Sequence, residues 1–404
     1  MNAKELAESF DIEKLTPEFY ADPYPTYRAL RQHAPVKRMP NGSYFLTRYD
    51  DLLAAYKNTD LFSSDKKKEF APKYGASALY EHHTTSLVFN DPPAHTRVRR
   101  LIMGALSPRA IAAMEADLIA LVERLLDALS AKGDVDLIGD YAAAIPVEVI
   151  GNLLDVPRDE RAPLRGWSLA ILGALEPVID EKTFARGNAA VEEFLDFLRD
   201  LVARRRARPG NPERDVLTRL IEGESDDERL TEKELLHNCI FLLNAGHETT
   251  TNLIGNGLVA LSRHESEKTR LVENPALIKT AIEEILRFES SNQLGNRITT
   301  GQVELGGVTL APGTSVTLCI GAANRDEKQF PDPERFDIAR QPNRHLAFGS
   351  GAHQCAGMAL ARLEGAIAIA RFLSRFPAYA LKGAPLRGGR ARFRGFLSVP
   401  CAIG

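Results

Sequence analysis

Cysteine is scarce in this chain and forms no framework. The four, Cys239, Cys319, Cys355 and Cys401, lie far apart and include no CxxC pair, which excludes a disulfide scaffold and a zinc finger. Long apolar runs are missing too. No window offers the roughly 20 apolar residues of a membrane span, and the first residues, Met1 to Glu8, lack the apolar stretch of a signal peptide. A cytoplasmic protein with no membrane partner is expected. Neither sign of charge dominates: 51 Lys and Arg face 54 Asp and Glu, a formal net charge of -3, so nothing draws the chain generally to nucleic acid. Gly/Ser-rich linkers, low-complexity tracts and repeats are also absent. The 404 residues, 44% hydrophobic, are therefore expected to fold as one large globular unit spanning 1–404.

What is present reads mainly as α-helix with a minor β region. Leu118, Leu121, Val122, Leu125, Leu126 and Leu129 recur at helical spacing, and Gly133 stops the pattern. Thr231 and Glu234 form a capping-box signal that opens a proline-free pattern from about Glu232 towards Leu261. Strands are few: Val36 to Arg48 carries the hairpin signal Asn41-Gly42, and Val303 to Leu310 turns at Gly306-Gly307. Between Ala322 and Arg344, dense Pro, Asp, Asn and Arg predict a long ordered loop, a length that usually serves function.

Chemistry concentrates in Phe348-Gly349-Ser350-Gly351-Ala352-His353-Gln354-Cys355-Ala356-Gly357. Its glycines let backbone approach a flat ligand, and amides around Cys355 can donate to its sulfur. The Ala/Leu/Ile-rich stretch Met358 to Phe372 reads as a helix, so Cys355 precedes a helix N-terminus, where the thiolate is favoured. Such a thiolate is a good iron ligand. The other three cysteines read as small buried hydrophobes.

This loop resembles that of the cytochrome P450 family: Phe, two or three Gly, a basic residue, Cys and Gly in this order. Three further motifs match in order and span most of the chain. The first is Ala245-Gly246-His247-Glu248-Thr249-Thr250, where Gly246 and the following hydroxyl can disturb the helix and open a local groove. His247-Glu248 begins like a zinc-protease motif, but Thr251 replaces the second His, which excludes it. The second is Glu284-Ile285-Leu286-Arg287, with acid and base on one helical face. The third is Asp91-Pro92-Pro93-Ala94-His95-Thr96-Arg97-Val98-Arg99-Arg100, which places His95 and Arg99 on one face.

The resemblance implies a single triangular-prism domain, with heme b (iron protoporphyrin IX) between the long central helix and the Cys-loop helix. It makes Cys355 the axial iron ligand. His95, Arg99, Arg297 and His353 would pair the heme propionates. Ala245, Leu294, Ala347, Phe348, Gly349, Ala356, Gly357 and Ala361 complete the cofactor-binding set, and Phe348 packs beside the Cys. Glu248 and Thr249 match the acid and alcohol that deliver protons to bound dioxygen, so they are the catalytic pair. Glu284 and Arg287 would join an Arg of the long loop in a structural network. Arg340 is the nearest candidate and Arg325 the other.

The implied activity is monooxygenation: one oxygen atom of O2 enters a small or medium, largely apolar organic molecule, by hydroxylation and also by demethylation or epoxidation. Electrons would come from a separate ferredoxin with its reductase. Arg97 and Arg100 are expected to face solvent and, with Arg344 and Arg362, to form either a docking patch for the ferredoxin or an ordinary charged surface. A monomer is expected. A peroxide-using heme-thiolate enzyme and a non-enzymatic heme sensor are the rival classes, and Glu248-Thr249 favours O2 activation over both. By family position the substrate pocket is lined by Ala76 to Phe89, Trp167 to Leu175, Leu242, Ala245, Leu294 and the turn near Phe396. Where many relatives have Ser or Thr and then Pro-Val, this chain has Ser290-Ser291-Asn292-Gln293. Asn292 or Gln293 is therefore expected to bond a polar substrate group, beside the plainer option that both satisfy loop backbone.

Overall fold

The computed structural model describes residues 2–212, 215–223 and 229–403. Its organising element is a helix over Glu232–Arg263, 32 residues and therefore roughly 48 Å long. The predicted capping box is present: Thr231 Oγ1 accepts from Glu234 N at 3.2 Å, and the Glu234 carboxylate accepts from Thr231 N at 2.9 Å. From Leu243 to Leu261 this helix is buried almost all round, as a helix at the centre of a large domain must be. It packs on the helices Ala144–Leu153, Leu164–Gly173 and Met358–Arg375. Gly246 makes the first contact possible, because a Cβ there would stand 2.5 Å from Ile150 Cδ1.

The helix Pro108–Ser130 contains the Leu118 to Leu129 stripe; Leu118, Leu121, Val122, Leu126 and Leu129 are buried and Leu125 is half-buried. Sheet is minor, as the sequence predicts. Five short strands run in the order Val36–Arg38, Tyr44–Leu46, Ser315–Cys319, Leu294–Thr299, Phe62–Ser63. The Asn41-Gly42 hairpin joins the first two, with Gly42 at φ +85°. Val303–Leu305 and Val308–Leu310 pair across Gly306 and Gly307, both left-handed. Pairing Arg297 with Val316 in this sheet carries Arg297 to the cavity described below.

The Ala322–Arg344 loop is ordered by one buried ion cluster. Glu284 and Arg287 are fully buried and joined by two bonds of 2.8 Å. Arg340 Nε lies 3.2 Å from both Glu284 oxygens, so Arg340 is the third member. Arg287 also donates to the carbonyls of Asn324, Pro333 and Arg335. Arg325 instead pairs with Glu334 and lies over the Tyr24 and Phe288 rings.

Candidate functional site

The Cys loop is shaped by its own backbone. Gly349 N donates to Leu346 O at 2.8 Å, and Cys355 N donates to Phe348 O at 2.9 Å. Gly351 is left-handed at φ +69°, and a Cβ there would lie 2.3 Å from the Tyr56 carbonyl oxygen, so glycine is required. Cys355 emerges on a cavity of about 360 Å³, just before the helix Met358–Arg375 begins. It is the exposed one of the four cysteines; the other three are buried, and burial pushes the Cys239 and Cys319 thiols up to about 12.

The cavity opens where the central helix and the Cys-loop helix diverge. Ala245 and Thr249 face it from the first, Ala361 from the second, and Cys355, Ala356 and Gly357 from the turn just before that helix. Ala347, Phe348, Gly349 and Leu294 complete that wall, and the four predicted propionate partners converge on it. The His95 and His353 ring centroids are 4.0 Å apart, Arg99 Nη2 donates to Gln354 O at 2.6 Å, and buried Arg297 lies over the Tyr56 ring at 5.2 Å. His95 keeps both ring nitrogens buried without a partner. Among the described residues lining the cavity, Glu364 is the one acid, and burial lifts its carboxyl to about 8. Two arginines, two imidazoles and a thiol, with orphaned donors and no matching carboxylates, fit an iron porphyrin carrying two propionates.

Of the predicted site residues, Glu248 alone does not line this cavity. It is buried behind the central helix, where Arg390 Nη1 bonds its two oxygens at 2.6 and 2.7 Å. Burial lifts the carboxyl to about 7 against the opposing pull of Arg390. Glu248, His247, Thr251, Asn252 and Arg390 line a second chamber of about 30 Å³, large enough for a water. The acid and the alcohol thus face different compartments on adjacent positions of one helix. Thr249 Oγ1 donates back to Ala245 O at 2.8 Å, and the helix stays α-helical across Gly246. The helix is thus continuous here, and the Thr249 hydroxyl shares the Ala245 carbonyl, a competition with the backbone ladder that is compatible with the local groove expected.

Other expectations need correction. Arg97 is half-buried and paired with Glu234, and Arg362 is held by Glu283 at 2.6 Å and stacked over Phe348 at 4.7 Å. Each sits beside an acid that draws it inward, so of the proposed patch Arg100 and Arg344 are the exposed members. Trp167 turns away from the cavity, donating to Glu193 at 2.6 Å and stacking on Phe194, whereas Ile171, Leu172 and Leu175 do line it. Phe393 takes the place expected for the turn near Phe396, which faces the second chamber. The polar quartet divides: Ser291 and Asn292 line the cavity, while Gln293 is a fold residue, donating to Ser290 O at 2.7 Å and Tyr24 Oη at 3.4 Å.

Sequence reasoning missed Tyr56, Arg390, Arg392, Asn244 and Glu364. The only local signal for the two arginines is the basic run Arg387 to Arg394, whose partners are remote in the chain.

The family model for cytochrome P450 matches residues 169–385. Two curated relatives are the biotin biosynthesis cytochrome P450 of Bacillus subtilis, 35% identical over 93% of this chain and 95% of that protein, and the vitamin D(3) 25-hydroxylase of Pseudonocardia autotrophica, 37% identical over 90% and 88%. Among solved structures, P450BioI in complex with hexadec-9Z-enoic acid ligated acyl carrier protein superposes with a TM-score of 0.90 at 34% identity, covering 96% of this chain and all of that one. Myxobacterial CYP267B1 in complex with myristic acid gives 0.89 at 32% identity, covering 96% and 98%.

Proposed function

The chain belongs to the cytochrome P450 family of heme-thiolate monooxygenases, and from that premise we propose that residues 1–404 act as one monomeric, cytoplasmic heme b enzyme. It takes electrons from a separate ferredoxin and its reductase and hydroxylates an elongated, largely apolar substrate. The observation that carries this reading is the convergence of Cys355, His95, Arg99, Arg297 and His353 on one cavity. Acyl chains bound by two structural neighbours support the substrate class.

Cys355 would hold the iron, and His95, Arg99, Arg297 and His353 the propionates. When bound, the heme supplies activation of dioxygen and transfer of one oxygen atom to carbon. The protein positions substrate and controls protons. Leu87, Phe89, Ile171, Leu172 and Phe241 wall the cavity with apolar surface that excludes water around the substrate. The Thr249 hydroxyl faces the cavity and can hold or pass a proton there. Glu248, half-protonated near neutral pH, is suited to collect that proton from the chamber beside Arg390.

The test is the absorption spectrum of dithionite-reduced protein under carbon monoxide, wild type beside Cys355→Ala. A strongly red-shifted Soret band in wild type alone is expected. A band typical of histidine ligation in wild type, or one that survives Cys355→Ala, overturns the assignment. Turnover that depends on the electron-transfer proteins, and not on added peroxide, separates the monooxygenase from a peroxide-using enzyme.

A further inference from the structure

Among the polar residues that line the cavity, one cluster is of imidazoles outside the predicted heme-binding set. His82 and His83, adjacent on the helix Ala78–Thr85, are 3% and 1% exposed and both line the cavity. Their ring centroids are 5.1 Å apart, and His237 stands 5.7 Å from His82. His82 Nδ1, His83 Nε2 and both amide atoms of Asn244, another cavity residue, have no hydrogen-bond partner. Each buried polar group left this way costs about 1–3 kcal/mol, so a cluster of them is retained for something that satisfies it.

The ionisable groups acting directly on the two imidazoles, besides each other, are His237, Lys73 and Arg392, all basic. Behind them Glu81 faces His237, while Glu69 and Glu176 face Lys73 and Arg392. Arg392 lines the same cavity, and its guanidinium donates to the neutral acceptors Leu175 O, Leu294 O and Asn296 Oδ1. The cavity's acid, Glu364, lies on the Cys-loop helix. The His83 ring is held by packing, with the Phe70, Tyr74 and Phe89 ring centroids 5.7, 5.4 and 5.8 Å away. The site thus offers two buried, neutral imidazoles and a side-chain amide beside the guanidinium of Arg392.

We propose that His82 and His83, with Asn244 and the field of Arg392, receive the carboxylate end of an otherwise apolar substrate and so make this enzyme selective for free acids. This rests on the monooxygenase reading above and adds the recognised group to it. The carboxylate accepts from an imidazole N–H and from Asn244 Nδ2, and the apolar remainder lies along the cavity walls.

Isothermal titration calorimetry of the heme-loaded protein with myristic acid, 1-tetradecanol and methyl myristate tests it. The acid should bind at least about tenfold more tightly than the alcohol or the ester, about 1.4 kcal/mol. The double variant His82→Leu, His83→Leu should bring that ratio close to one while holding 1-tetradecanol affinity within about twofold, and His83→Gln, which keeps a hydrogen-bonding head, should retain part of the preference. No acid binding, equal affinity for acid and alcohol in wild type, a preference that survives the double variant, or a parallel loss for all three ligands overturns the proposal. The red-shifted carbon monoxide band, measured on the same samples, keeps the two readings apart: its absence defeats the monooxygenase assignment, whereas its presence without acid preference defeats only the role of the histidines.

Discussion

Replacing Glu248 with Gln should remove a pH dependence of stability that this one carboxyl imposes. Its side chain is 8% exposed, and burial lifts it from 4.5 to about 7 despite Arg390. The folded protein therefore holds this proton more tightly than the unfolded chain does. Stability from this group is complete below the unfolded value and is lost as pH rises through about 7. A shift of roughly 2.5 units at 1.36 kcal/mol each puts the loss at about 3 kcal/mol. Denaturant unfolding at about pH 5 and about pH 8, wild type against Glu248→Gln, isolates it, because other titrating groups such as Glu364 are common to both proteins and cancel. Wild type should lose about 2.5 kcal/mol relative to the variant between those two pH values, since part of the effect already falls below pH 5. Arg390→Leu, which removes the one cation bonded to the carboxylate, should enlarge the loss and carry it to higher pH. Parallel profiles for wild type and Glu248→Gln would refute the reasoning, since Glu248 would then titrate as an ordinary carboxyl and could not exchange protons near neutrality.

Three further outcomes follow from packing. Glu284→Ala leaves Arg287 buried without its acid and should cost about 3–5 kcal/mol in unfolding free energy; a loss under about 1 kcal/mol would mean the cluster is surface-like. Gly351→Ala forces a left-handed alanine, about 1–2 kcal/mol by itself, and drives its Cβ against the Tyr56 carbonyl. Thermal midpoint and heme retention should both fall, and an unchanged midpoint would show that the loop is not set by that contact. Asn292→Leu should change substrate affinity at nearly constant stability, whereas Gln293→Leu should cost about 1–3 kcal/mol of stability with affinity kept; the reverse pattern in binding and unfolding assays would exchange their roles.

The contrast between what was legible in the chain and what was not follows sequence separation. The Cys loop is local: the hydrogen bonds and glycines that present Cys355 lie between Leu346 and Cys355, so spacing alone exposes the site. The same holds for the capping box of the central helix and for Asn41-Gly42. Glu248 was visible as a residue, but its environment was not, because Arg390 is 142 positions away and only the fold brings them together. That separation sets what each part of the site can tolerate. The Cys loop carries its turns in one short segment and is seated on the fold by Tyr56, Arg99 and Asn324. The acid face of the central helix depends on a C-terminal arginine, and His82 packs against His237 of that same helix, with ring centroids 5.7 Å apart. Proton supply is thus coupled to packing across the whole domain, and iron ligation rests on a local loop seated by a few remote contacts. Substitutions far from Cys355 should therefore alter coupling and selectivity before they alter the spectrum of the bound heme.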